Sequence, residues 1–401
     1  MFMKNSELRP AGGMTRPETT VSDYDDEHRK RRLHETRTGH SLDERGVVVR
    51  TAGRIALSGL TVGAVGSVVG VQYWVHDVLP ERERLAQTQP EIHEIYQATD
   101  PNNTTAVVDL VGLGNLDASQ TASSLPSLAE VGDVWAVQYD NNGIDTTVIA
   151  QIVEEKAEAN DIDSIAIIGH SMGGIIGLEV AEYIYEETDL DLITAILDCT
   201  PMDLDAVRPE ERSRGQEMMR WIGRIPGAGE SRSLRTVVEV GARKDRFLVA
   251  DSSLVPDVNF GELADVVDEV MRDKIFKEDV ASSGLISVQF AAIATSGARD
   301  NLRAIGQVRD GKIQPVIVFL RPGDASLDRV VDNDYSQREI VDSRNENGNS
   351  LMVARMDTGH ANPNQESEKY NAAIKEKVVP FIERRSEESI RDDTAKLAEA
   401  N

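Results

Sequence analysis

From Thr104 onward, short aliphatic and β-branched runs alternate with stretches whose apolar residues recur every three or four positions. That alternation permits few folds. A strand buried on both faces reads as a continuous apolar run, and a helix between two such runs carries the chain back so that the next strand lies parallel. Residues 105–111, 134–140, 164–170, 192–198, 314–320 and 350–356 read as strands. Residues 148–160, 175–188 and 364–385 read as covering helices. The expected class is α/β, a mostly parallel sheet flanked by helices. From Pro201 to Gln314 no further strand pattern occurs, a span too long for a loop. Residues 218–225, 261–276 and 282–308 carry helical spacing, so 203–311 reads as an inserted helical subdomain between core segments 104–202 and 312–385. No internal repeat is evident.

Ahead of this region, Ile55 to Val75 holds 21 residues without a charge. A helix of that length matches the roughly 30 Å hydrocarbon thickness of a bilayer. Basic residues crowd the stretch from Arg29 to Arg54, whereas the far flank to Asp100 has only Arg82 and Arg84 among several acids. The positive-inside bias therefore predicts a single-pass membrane protein with a cytosolic N-terminus and the large C-terminal part outside. Tyr73 and Trp74 sit where amphipathic rings favour the headgroup layer. The long segment before the apolar run argues for an uncleaved anchor rather than a signal peptide. Gly59, Gly63, Gly66 and Gly70 fall on one helical face, which would let a second helix approach closely in a homodimer. The expected organisation is a disordered tail over 1–49, an anchor over 50–76, a linker over 77–103 and a charged C-terminal tail over 386–401. The tail histidines His28, His34 and His40 read as solvated rather than as metal ligands.

Charge and cysteine content narrow the function. With 43 Lys and Arg against 69 Asp and Glu, the net charge of −26 disfavours a broad grip on nucleic acid. A single cysteine, Cys199, excludes an intramolecular disulfide framework and a thiolate metal cluster.

Chemistry is suggested by Gly169-His170-Ser171-Met172-Gly173, a G-x-S-x-G sequence between a strand and a helix. A serine held at such a turn has strained backbone angles, and residues two positions either side must be small. The same turn aims the Met172 N–H at an oxyanion near the serine oxygen, with the helix N-terminus behind it. A serine hydroxyl needs a base, usually histidine at neutral pH. Of seven histidines, three lie in the tail, His76 and His93 lie near the anchor, and His170 is inside the turn, which leaves His360 in the loop after a late strand. A third group must orient the imidazole, and the loop after residue 320 offers Asp324, Asp328, Asp332 and Asp334.

GHSMGG at 169–174, the late Gly359-His360 pair and the intervening acid loop resemble the α/β-hydrolases of the lipase and esterase type, over about residues 104–385. The resemblance implies a Ser-His-Asp triad of Ser171, His360 and Asp328, because the family's acid is followed two residues later by Val or Ile; Asp324 is the runner-up. It implies a second oxyanion N–H from Leu113 in Val111-Gly112-Leu113-Gly114, where the family's usual His is missing. The insertion at 203–311 stands where that family commonly carries a cap, and Met218, Met219, Trp221 and Ile222 read either as its core or as an apolar edge over the site. No metal or organic cofactor is expected. The substrate would be a small or lipid-like acyl compound, and a peptidase, thioesterase or acyltransferase would use the same triad. A hydrolase fold kept as a non-catalytic binding module is the remaining alternative. Members usually begin with extra strands, and residues 76–103 do not read as strands, so a shortened sheet is expected.

Overall fold

The computed structural model describes residues 47–249, 257–277, 280–344 and 350–385. The tail with its three histidines and the C-terminal tail over 386–401 lie outside the described residues. The chain divides into two units, residues 1–73 and 74–401.

In the first unit, helix α1 spans Val47–Tyr73. It starts three residues inside the segment expected to be tail, at Val47, Val48 and Val49. Its large apolar residues, Leu60 and Val62 among them, are exposed, and nothing stands within 4 Å of a Cβ placed on Gly59, Gly63, Gly66 or Gly70. Residues 47–85 form the one helix among the described residues that is long and apolar enough to cross a membrane.

The second unit opens with a π-helical turn, Trp74–Val78, and helix α2, Leu79–Leu85. Val78 and Leu85 are buried, so the expected linker over 77–103 is a folded part of this unit. It also supplies strand β1, Glu91–Tyr96, which pairs antiparallel with strand β3, Asp133–Gln138. The expectation of a shortened sheet is therefore corrected. The pattern EIHEIY hid the strand because a bulge between Glu94 and Tyr96 shifts the register and breaks the period of two.

The remaining strands of this sheet are β2 (Thr105–Leu110), β4 (Ser164–His170), β5 (Asp191–Asp198), β6 (Val316–Pro322) and β7 (Leu351–Met356). The seven-stranded order is β1-β3-β2-β4-β5-β6-β7, parallel after the first pair. Val107, Val108, Ile165, Ile168 and Ile196 are wholly buried, as a sheet covered on both faces requires. Helix α3, Thr146–Ala159, starts at Asp145, whose carboxylate accepts the N–H groups of Thr147 and Val148. Helix α4, Met172–Glu187, packs on β4 and β5. Because the chain runs from β2 outward to β3 and then crosses back to β4, the order reverses beside β2. The crevice at the carboxyl ends of β2 and β4 is where such sheets bind ligands.

After β5 come α5 (Pro209–Ile222), α6 (Arg232–Ala242), α7 (Phe260–Val270), α8 (Ser283–Ala294) and α9 (Ala298–Ile305). Phe247, Val266, Val270 and Ile275 form a small core of their own. The stretch expected to be one helix over 282–308 is two, split at Thr295–Gly297. Leu285, Ile293, Ala298, Leu302 and Ile305 belong to the main core, and α9 packs on α4. The insertion therefore leaves the main body only up to about α8, earlier than residue 311. Helix α10 (Asn333–Ser343) follows β6, and α11 (Ser367–Ala373) runs through a π turn at Ile374–Val378 to close the unit.

Candidate active site

Ser171 sits between the last residue of β4 and the first of α4, with φ 53° and ψ −122°. A left-handed φ at a non-glycine residue is strained, and the surroundings must hold it. They do so by close approach. A Cβ on Gly173 would collide with the Leu110 and Val111 carbonyl oxygens. One on Gly112 would stand 2.9 Å from the His170 oxygen and 3.3 Å from Ser171 Cβ. The loop after β2 can thus lie directly against the turn after β4.

His360 lies in the loop after β7. Its Nε2 is 2.8 Å from Ser171 Oγ and its Nδ1 is 2.8 Å from Asp328 Oδ2. Asp328 is wholly buried, and its Oδ1 accepts the N–H groups of Val330 and Val331 at 2.8 Å each, while Asn333 Nδ2 donates to Oδ2 at 2.6 Å. Burial pushes this carboxyl up, but the His360 hydrogen bond and charge, together with the Val331 and Val330 amides, outweigh it and hold the group below the usual carboxylate range. Arg208 fastens the acid loop by donating to the carbonyls of Asp328 at 2.7 Å and Ala325 at 2.8 Å.

Asp324 is not brought to His360; it is exposed and accepts the Ser326 N–H at 2.9 Å. Asp332 accepts the Asp334 and Tyr335 amides at the start of α10, and Asp334 pairs with Arg321 at 2.5 Å. Met172 is the first residue of α4, so its N–H has no acceptor within the helix. Leu113 lines the same cavity as Ser171. The cavity, about 550 Å³, is walled by Val111, Leu113, Met218, Phe290, Ile293 and Val331 around Ser171 and His360. Of the four residues expected at the cap edge, Met218 reaches it; Met219 accepts from Ser287 Oγ, and Trp221 is half exposed.

The profile of the alpha/beta hydrolase family matches residues 83–373. The chain is an alpha/beta hydrolase. No curated protein matches it. Among solved structures it is similar to a monoacylglycerol lipase of Paleococcus ferrophilus at 14% identity, covering 74% of this chain and 99% of the other, with TM-score 0.44. An enol-lactonase of Burkholderia xenovorans matches at 16% identity, covering 73% and 96%, with TM-score 0.44. An esterase of Exiguobacterium antarcticum matches at 16% identity, covering 74% and 96%, with TM-score 0.43.

Sequence reasoning missed two features of this hydrolase. Gln289 on α8, wholly buried, accepts the Gly114 N–H at 2.8 Å and donates to the Asn115 carbonyl at 2.8 Å, clamping the loop that carries Leu113. Nothing in the sequence ties a glutamine in the insertion to a loop 174 positions earlier. The second is the burial of His170 between Asp198, at 2.8 Å, and Asp109, at 3.4 Å. No local pattern ties the three, since Asp109, His170 and Asp198 stand on three different strands. Ligand atoms of Cys199, Asp328 and His360 lie within 4.8 Å of one another. Burial first, then Asp198 and Asp328, push the thiol well above its ordinary pKa, so it stays protonated and is a poor metal ligand.

Proposed function

We propose that this alpha/beta hydrolase is a membrane-anchored serine hydrolase that cleaves esters or related acyl bonds. The observation that carries the reading is the hydrogen-bonded line from Ser171 Oγ through His360 to buried Asp328, each link 2.8 Å. Ser171 Oγ attacks the acyl carbonyl carbon as its proton passes to His360 Nε2, and the carbonyl π pair moves onto oxygen. Asp328 holds Nδ1–H and stabilises the imidazolium. The N–H groups of Met172 and Leu113 receive the oxyanion, where preorganised donors lower the barrier. His360 returns the proton to the leaving alkoxide, and water repeats the sequence on the acyl-enzyme to restore Ser171. Neither metal nor organic cofactor has a role in these steps.

The apolar walls of the cavity favour an aliphatic or lipid-like acyl group, and an enzyme tethered beside a bilayer meets such substrates readily. The anchor is residues 55–75, with the N-terminus cytosolic, the catalytic unit outside, and the Gly59/Gly63/Gly66/Gly70 face available for a homodimer. Support for the anchor is the exposed apolar surface of α1. The test is turnover by the full chain in detergent micelles of acyl esters of graded chain length, beside thioesters and peptides. Ester cleavage that vanishes with Ser171→Ala is expected; preferred cleavage of peptides or thioesters would reassign the substrate, and ester cleavage that survives the substitution would overturn the mechanism.

A further inference from the structure

Behind Ser171 a second set of polar groups closes on itself. His170, its neighbour in the chain, is buried, with Nδ1 2.8 Å from Asp198 Oδ2. The other oxygen of buried Asp198 accepts the Tyr370 hydroxyl at 3.1 Å. That hydroxyl in turn accepts the Asn362 N–H at 3.2 Å. Asn362 stands two residues after His360, whose Nε2 returns to Ser171 Oγ at 2.8 Å. The Ser171 N–H also donates to the Asp198 carbonyl at 2.8 Å. The ring therefore joins the turn after β4 to the histidine loop after β7 through β5 and α11, which have no other part in the chemistry.

Two features indicate that the ring bears on geometry rather than filling space. Buried ionisable groups are costly, and apolar side chains would pack a sheet end more cheaply. His170 nevertheless keeps its proton: burial lowers its pKa, but Asp109 and Asp198 raise it further, to about 10. The ring also crosses strained backbone. Ala361, between His360 and Asn362, has φ 32°, and Ser171 has φ 53°. Strain of this kind persists only where neighbouring bonds over-determine it, and the Asn362–Tyr370 and Ser171–Asp198 bonds act at those two points.

We propose that His170, Asp198 and Tyr370 are positioning residues that set the approach of His360 to Ser171, an inference resting on the reading of Ser171 as nucleophile. Tyr370→Phe tests it in the full chain in detergent, because the change removes one buried hydroxyl and keeps the ring packing. A displacement near 1 Å at a reacting pair costs on the order of a hundredfold. For Tyr370→Phe we expect kcat on a short-chain acyl ester to fall about ten- to a hundredfold, with KM within about twofold. Labelling of Ser171 by a fluorophosphonate should slow by the same factor. Asp198→Asn should act likewise, and the double variant should lose little beyond the worse single one, since both open one ring. A Tyr370→Phe enzyme with kcat and labelling rate within twofold of wild type, whatever its Tm, would overturn the inference; it decides alone if Asp198→Asn does not fold. A wild type that neither labels nor turns over esters would instead overturn the nucleophile reading, and this inference with it.

Discussion

Replacing Asp328 by Asn puts the proposed triad to a quantitative test, because every lone pair of that carboxylate is committed. Oδ1 receives two backbone amides, and Oδ2 receives Asn333 Nδ2 and faces His360 Nδ1. An asparagine offers one oxygen and one NH₂. If the oxygen stays on the Val330 and Val331 amides, the NH₂ points at His360, which must then turn Nδ1 into an acceptor and carry its proton on Nε2. That proton points at Ser171 Oγ, and the base is lost. The opposite orientation sets NH₂ against two N–H donors. Loss of the correct tautomer in a triad costs about ten-thousandfold in kcat, which at about 1.36 kcal/mol per tenfold is about 5 kcal/mol of barrier. The mismatched hydrogen bonds remove only about 1–3 kcal/mol from folding. Asp324→Asn, at an exposed turn whose carboxylate accepts the Ser326 amide, should leave activity within about twofold and stability close to wild type. The assay is kcat/KM for an acyl ester with circular dichroism as the folding control. An Asp328→Asn enzyme keeping more than a tenth of wild-type activity, or an Asp324→Asn enzyme harmed more, would refute the reasoning.

Gln289→Leu should leave the Gly114 N–H and Asn115 carbonyl without their buried partner and loosen the Leu113 loop, lowering kcat about tenfold or more with a modest fall in Tm; unchanged kcat would remove Leu113 from the oxyanion site. Stability should decline with rising pH. His170 holds its proton to about 10 in the fold against 6.5 in the open chain, so its contribution is complete below about 6.5 and is lost as pH rises through about 10. Thermal melts should therefore show Tm falling steadily from pH 7 to 9.5, and a flat profile would contradict the charge state assigned to the cluster. Protease added to intact cells should digest the catalytic unit and spare an epitope at the N-terminus; the reverse pattern would sink the proposed topology.

The parallel strands were legible because most are apolar, β-branched runs buried on both faces, as at Ile165–Ile168, where no polar residue interrupts; the edge strand Leu351–Met356 is only partly buried. Ser171 and its glycines were legible because sterics dictate residue size at a sharp turn. His360 emerged by elimination, and Asp328 from the family's loop pattern; His360 stands against Ser171 and Asp328 against His360, with Asp324 left aside. Strand β1 stayed hidden because an edge strand with a bulge has half-polar faces and no alternation. The end of the insertion was misplaced because helical spacing tells that Ala298, Leu302 and Ile305 share a face, not which core that face meets. Gln289, and the ring through His170 and Tyr370, depend on contacts between distant segments, and no local pattern encodes them.

The measurement closest to the central claim is fluorophosphonate labelling of the full chain, with the modified peptide located by mass spectrometry, in wild type, Ser171→Ala and His360→Ala. The account predicts one adduct, on Ser171, absent from the first variant and slowed at least about a thousandfold in the second. An adduct on another residue, or equal labelling of folded wild type and His360→Ala, would contradict it.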